Sequence, residues 1–267
     1  MTVPTKVTAR DARSPVADTL AGVAHAAGTF EVRHGLPEQR DGWVTSAELF
    51  TEPDRFTAWR DLLADWLRAE YGSAPERTTA GYVMGWYLNV VGLAGGLLFH
   101  AARRVPSLRP DDVAVRIAGT GRPHLVGVAL LAEGFACLAE DPASDHADAT
   151  VVGCERALAD LMRARFAAHA AAFVSAYGPT VRLGRRTLWA GATDALDSAA
   201  WTAGRLLGDE TSGVADAALL LPAKLEPFTS ATTLRTVDGE WTRRRESCCF
   251  HYVLPGAQEC VTCPRVR

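Results

Sequence analysis

Lysine is almost missing from this 267-residue chain: Lys6 and Lys224 are the only two, so arginine carries nearly all its positive charge. With a net charge of −3 there is no basic excess of the kind that tracks a phosphate backbone, and no nucleic-acid partner is expected. A secretory leader is also lacking. The stretch from Met1 to Leu20 holds Lys6, Arg10, Asp11, Arg13 and Asp18 with no apolar centre, which points to a cytoplasmic chain with reduced thiols and disfavours disulfides. Internal repeats and low-complexity tracts are absent, as are a nucleophile–base triad and a flavin or nicotinamide fingerprint. Gly119-x-Gly121 lacks the third glycine and the strand–helix context of a dinucleotide loop, and reads as a turn.

Only one long hydrophobic run is present. Gly81 to Ala102 is uncharged over twenty-two residues, enough to span a bilayer, and Gly81/Gly85 and Gly92/Gly96 have the spacing of closely packed helices. Asn89, His100, five glycines and the want of a second such run favour a buried helix or helix pair instead, without stable membrane insertion.

Most of the chain reads as helical. Ser14-Pro15 opens a helix that Gly28 closes, and Phe56, Trp59, Leu63 and Trp66 recur at helical spacing before Gly72. Ser73-Ala74-Pro75 leads into the apolar run, with Pro106 as its stop. Alternating Val113, Val115 and Ile117, the turn Gly119–Pro123 and the strand-like 124–131 form a β-hairpin. Helices follow over 155–177 and 185–207, the first presenting Leu158, Leu161, Met162, Phe166, His169 and Phe173 on one face, with His169 read as a core histidine. Asp238-Gly239 signals a tight hairpin between 232–237 and 240–245. The expected fold class is α+β: a mainly helical body (1–227) with a central β-hairpin, and a small C-terminal β/turn module (228–267).

That module holds four of the six cysteines: Cys248, Cys249, Cys260 and Cys263, in the order Cys-Cys-x10-Cys-x2-Cys. The other two, Cys137 and Cys154, read as small buried fillers. Four thiols in sixteen positions suit a soft metal site, either structural zinc or an iron–sulfur cluster. Zinc ribbons use two C-x2-C knuckles, and only 260–263 has that form. Consecutive extended residues point to opposite faces, so Cys248 and Cys249 reach one site only if the backbone kinks between them. A two-iron rhomb accommodates this more easily than one small ion.

Arg243, Arg244, Arg245, Arg265 and Arg267 outweigh Glu246, Glu259 and the terminal carboxylate by +2. An arginine about 8 Å from such a centre favours its reduced form by roughly 1–2 kcal/mol before solvent screening. These arginines either tune a cluster, dock an acidic partner, or form a solvated strand edge. His251 is a donor candidate or a plain strand residue.

The run from Arg245 to Gly256, followed by Cys260-Val261-Thr262-Cys263-Pro264, resembles the C-terminal signature of the FhuF-like ferric siderophore reductases. The resemblance implies a [2Fe–2S] cluster held by Cys248, Cys249, Cys260 and Cys263. It also implies one-electron reduction of ferric siderophores in the cytoplasm, which releases iron as Fe(II). Electrons would come from a ferredoxin or a flavoprotein reductase. Upstream of residue 228 no motif transfers; Arg185, Arg186, Trp189 and Trp201 are candidate walls for the siderophore. Two alternatives remain open: an electron carrier or redox sensor without a siderophore site, and a structural four-cysteine zinc protein.

Overall fold

A computed structural model describes residues 14–265. The leader reading over 1–13 and the charge of Arg267 and the C-terminus lie outside the described residues.

Helix α1 (Pro15–Ala24) starts on the fixed φ of Pro15 rather than on a side-chain cap, since Ser14 Oγ is buried without a partner among the described residues. It tightens into a short 3₁₀ turn that ends at Gly28, φ +63°. Strands β1 (Glu31–His34) and β2 (Trp43–Thr45) follow, and a reciprocal capping box between Thr45 and Glu48 starts α2 (Ser46–Thr51). Helix α3 (Asp54–Tyr71) buries Phe56, Trp59, Leu63 and Leu67 and stops at left-handed Gly72. Trp66 is only half-buried; Leu67 takes the interior place.

Helix α4 (Glu76–Ala102) is one unbroken helix of 27 residues, not a pair, and is apolar on nearly every face. Among the described residues it is the one helix long and apolar enough to cross a membrane, and 67% of its most apolar window is buried inside the fold. It ends at Arg103, in the left-handed region, ahead of Pro106.

Strand β3 (Val105–Pro106) comes next, then the hairpin of β4 (Val113–Ile117) and β5 (Leu125–Leu130), as expected. The hairpin is not isolated, because β1 pairs parallel with β5 and β2 antiparallel with β4, giving the order β1-β5-β4-β2. With β6 (Phe135–Leu138) and β7 (Ala149–Val152), β3 makes a second sheet, β3-β6-β7.

Helices α5 (Glu155–Tyr177) and α6 (Arg185–Leu207) span the expected residues. A seventh helix, α7 (Glu210–Leu220), has too weak an apolar period to be read from sequence; its Gly213 lies against Gly204 of α6. The last strands, β8 (Arg235–Val237) and β9 (Glu240–Thr242), are shorter than expected but flank Asp238-Gly239, both at positive φ.

The α4–α6 contact is the spine of the molecule. A Cβ on Gly96 would lie 2.6 Å from the Ala199 carbonyl carbon, and one on Gly92 3.1 Å from Ala195 O. The small-residue spacing in α4 therefore seats it on the alanine face of α6. His169 is a core residue: its ring nitrogens meet Tyr87 Oη (2.7 Å) and Leu108 O (2.6 Å), and burial pushes its pKa down to about 4, so it stays neutral. Cys137 is a buried filler in β6. Cys154 is not: it occupies the exposed N-cap of α5, outside the packed interior.

Candidate metal centre

Beyond β9 the chain runs over the faces of α4 and α6. Asp194 of α6 sets its path: the buried carboxylate accepts from Glu246 N (2.7 Å), Ser247 N (2.8 Å) and the Ser247 hydroxyl, while its own carbonyl takes the Arg243 guanidinium. This places Cys248 at a defined point. Cys249 comes next, and then the backbone kinks: Phe250 has φ +57°, its N–H donating to Cys248 Sγ at 3.4 Å. This kink lies after the cysteine pair, not between its two members, where the sequence reading required one. Thr78 of α4 donates to Phe250 O (3.1 Å), and a 3₁₀ turn over His251–Val253 buries Leu254. After Gly256 (φ +73°) the Cys260–Cys263 turn closes with Cys263 N to Cys260 O. Arg245 N donates to Thr262 O (3.1 Å), which ties this turn to the segment ahead of Cys248 and brings the two cysteine pairs together.

All four thiols are free. Cys263 is buried and the others are partly so. Burial pushes the Cys248 thiol up, and the nearby Cys249 and Cys263 sulfurs add to it; Cys260 is raised in the same way. Such thiols resist ionising together unless a cation shares their space. Arg245 supplies part of that charge. Its burial is more than offset by Cys249 and Cys260, which hold its pKa above the ordinary value, and among the described residues its buried Nε–H has no acceptor. A sulfur-rich group bound here would give that donor an acceptor, so these residues fit an iron–sulfur group. Among the described residues, no three His, Cys, Asp or Glu side chains are placed to hold a single metal ion.

Two of the four cysteines open onto a cavity of about 360 Å³. Cys249 and Cys260 lie in its wall with Arg243, Arg245 and His251; across from the tail stand Trp66 and Tyr71 of α3, Tyr82 and Trp86 of α4, and Arg122 from the β4–β5 turn. Tyr82 Oη is hydrogen-bonded to His251 Nδ1, and burial, then the Cys249 sulfur, push its pKa up to about 12.

Residues 245–265 match the FhuF 2Fe-2S C-terminal domain. The cofactor of this domain is a [2Fe–2S] cluster, which decides between the metals that spacing left open. No curated protein and no solved structure matches the chain.

With the 2Fe-2S domain in place, the other expected residues can be located. Arg243 and Arg245 are not a solvated strand edge, since β9 ends at Thr242 and both turn inward toward Asp194 and the cysteines. Arg244 between them is exposed and donates to Pro264 O, and Arg265 stacks over Tyr252. His251 begins a 3₁₀ turn rather than continuing a strand. Arg185, Arg186 and Trp189 share a separate cavity of about 280 Å³ with Lys224 and Glu226. Trp201 lies apart from them, donating to Glu210 and stacked under Arg205. Sequence reasoning missed Trp66, Tyr71, Tyr82, Trp86, Arg122 and Asp194, which sit on different elements with no common period; the only signal was a concentration of aromatics across α3 and α4.

Gly81 shows how closely the domain is seated. A Cβ there would lie 3.2 Å from the Cys249 Cα and O, so Gly81→Ala is expected to press the cysteine segment off α4 and lower cluster retention. Gly85, one turn on, has nothing within 4 Å; Gly85→Ala is expected to keep the cluster and add up to about 1 kcal/mol of helix stability. Iron content per folded protein, with thermal unfolding, checks both.

Proposed function

We propose that this chain is a cytoplasmic ferric siderophore reductase. In this reading Cys248, Cys249, Cys260 and Cys263 hold the [2Fe–2S] cluster, within a C-terminal module (228–267) on a helical body (1–227) that docks the iron complex. The observation that carries the reading is the position of Cys249 and Cys260 in the wall of an open, aromatic and arginine-lined cavity. A redox centre thereby shares its space with a docking site.

The chemistry asked of the chain is modest. Siderophores grip Fe(III) through hard anionic oxygens, and Fe(II), with lower charge density, is held far more weakly. The cluster, when bound, supplies one electron at a time; no general acid or base is required. The side chains hold and shield: Asp194 anchors the cysteine segment, Arg243 and Arg245 offset thiolate charge, and the aromatic wall excludes water from one side of the complex. The electron comes from a separate reductant, a ferredoxin or a flavoprotein reductase, and leaves on the iron. The cavity beside the cysteines suits the substrate better than the walls at Arg185, Arg186 and Trp189, because electron transfer favours proximity.

The test is anaerobic. Holo-protein reduced with dithionite is expected to lose its visible bands and regain them when a ferric siderophore is added, with ferrous iron trapped by a chelator. Reoxidation by oxygen but by no ferric complex would replace this reading with that of an electron carrier.

A further inference from the structure

The second cavity, of about 280 Å³, shares no lining residue with the one beside the cysteines. Its floor is apolar: buried Trp189 of α6 meets buried Phe228 edge to face, next to Pro227. Its rim is cationic. Arg185 and Arg186 from the first turn of α6, and Lys224, one of the chain's two lysines, are all exposed there. Among the described residues that line it, Glu226 alone is acidic. Folding does not account for this arrangement. Cations in a first helical turn face the positive end of the helix dipole and work against the helix, and like charges around one mouth repel each other. An apolar centre inside a charged rim is the anatomy of a docking patch.

The patch also lies close to the cysteine segment. Thr229, in the same wall, donates from its N–H to Thr193 Oγ1 (2.9 Å) and from its hydroxyl to Glu246 Oε2 (3.4 Å), two residues ahead of Cys248. Asp194, which holds the Glu246 and Ser247 amides, follows Trp189 on α6 by little more than one turn. The tail itself offers no such surplus of charge. Among the described residues from 243 onward, the exposed Arg244 and Arg265 are matched by the exposed Glu246 and Glu259. Building on the reductase reading, we propose that the mouth at Arg185, Arg186 and Lys224 is where an acidic one-electron donor protein docks. Its carboxylates pair with the rim, and the electron enters beside Cys248. It leaves at the cavity walled by Cys249 and Cys260, so donor and iron complex can be bound together.

A flavodoxin, an acidic protein with one flavin, is the probe. Its anionic hydroquinone gives one electron to the oxidised holo-protein and becomes the neutral blue semiquinone, with no proton moved. Stopped-flow mixing follows the semiquinone band, and calorimetry with oxidised flavodoxin reads docking without electron transfer. With Arg185→Gln, Arg186→Gln and Lys224→Gln combined, the second-order rate constant and the affinity are both expected to fall about tenfold or more at low salt. The wild-type rate should drop steeply with ionic strength while the variant's stays nearly flat. Reduction by photoreduced deazariboflavin, which is uncharged, should be equal in both. Arg40→Gln, Arg55→Gln and Arg68→Gln combined remove the same charge elsewhere on the exposed surface and should change rate and affinity less than about threefold. All six side chains are exposed, so both variants should fold; circular dichroism and the visible spectrum check it. Unchanged rate and affinity in the first variant, an equal loss in the second, or a wild-type rate indifferent to salt overturns the inference. So does a first variant that flavodoxin reduces normally but a ferric siderophore reoxidises more slowly, which gives the patch to the substrate. If reduction depends on the patch and no ferric siderophore reoxidises the protein, the reductase reading falls and the docking site stands.

Discussion

Serine in place of any one of Cys248, Cys249, Cys260 or Cys263 is expected to bleach the protein. Purified anaerobically, each variant should hold roughly tenfold less iron and labile sulfide than the wild type, a loss at least as large as the about 10–100-fold that outer-shell changes cost metal sites. A serine hydroxyl stays protonated at neutral pH, where a metal-bound thiol has lost its proton, and it is a harder donor than iron–sulfur chemistry prefers. The four positions should not differ in kind, because the two pairs are joined by the Arg245–Thr262 backbone bond and share one pool of charge. Cys154→Ser, at an exposed helix cap, should be silent within about 0.5 kcal/mol. Cys137→Ser should retain its iron but lose stability, by about 1–3 kcal/mol, for burying a hydroxyl in β6. A folded but colourless Cys137 or Cys154 variant, or a tail variant with full colour, would refute the ligand assignment.

Asp194→Ala is expected to be the most damaging substitution outside the cysteines. The carboxylate is 3% exposed, and burial drives its pKa up while Arg243 and the Ser247 donors pull it back. Removing it strands two backbone amides and a hydroxyl and takes from the buried Arg243 its main counter-charge, leaving that of Asp197. Breaking a buried pair in this way costs about 3–5 kcal/mol, and here the cost falls on the residues that deliver Cys248. Thermal unfolding of the holo-protein should show the loss, and iron should be released at a lower temperature than in the wild type. Asp194→Asn should be milder, since its amide oxygen still accepts one N–H, although its NH₂ then faces a second donor. If Asp194→Ala unfolded like the wild type and kept its iron, the anchoring role would be wrong.

The two substitutions differ in how far each was foreseeable. The four tail cysteines stand out because soft-metal chemistry draws on one side-chain type at close spacing, and a tail of some twenty residues contains the whole pattern. Helices α5 and α6 were equally legible, because long amphipathic periods and glycine stops are local properties. Asp194 was not: in sequence it is one acid within an alanine-rich helix, and its role exists only because residues 246–247 cross that point of α6. Cys154 was misplaced because cysteine is usually buried, a preference that a helix N-cap position overrides here.

By itself, then, the sequence determined the metal-binding chemistry, the α+β class and the main helices, since each depends on residues close together along the chain. Tertiary structure alone decided where that chemistry opens. The cavity takes Trp66 and Tyr71 from α3, Tyr82 and Trp86 from α4, Arg122 from a turn, and Cys249 and Cys260 from the tail. These segments meet only because Gly81 lets the tail lie on α4 and Gly92 and Gly96 let α4 lie on α6. Close approach of backbones separated by more than a hundred residues is a property of packing, and no local pattern records it.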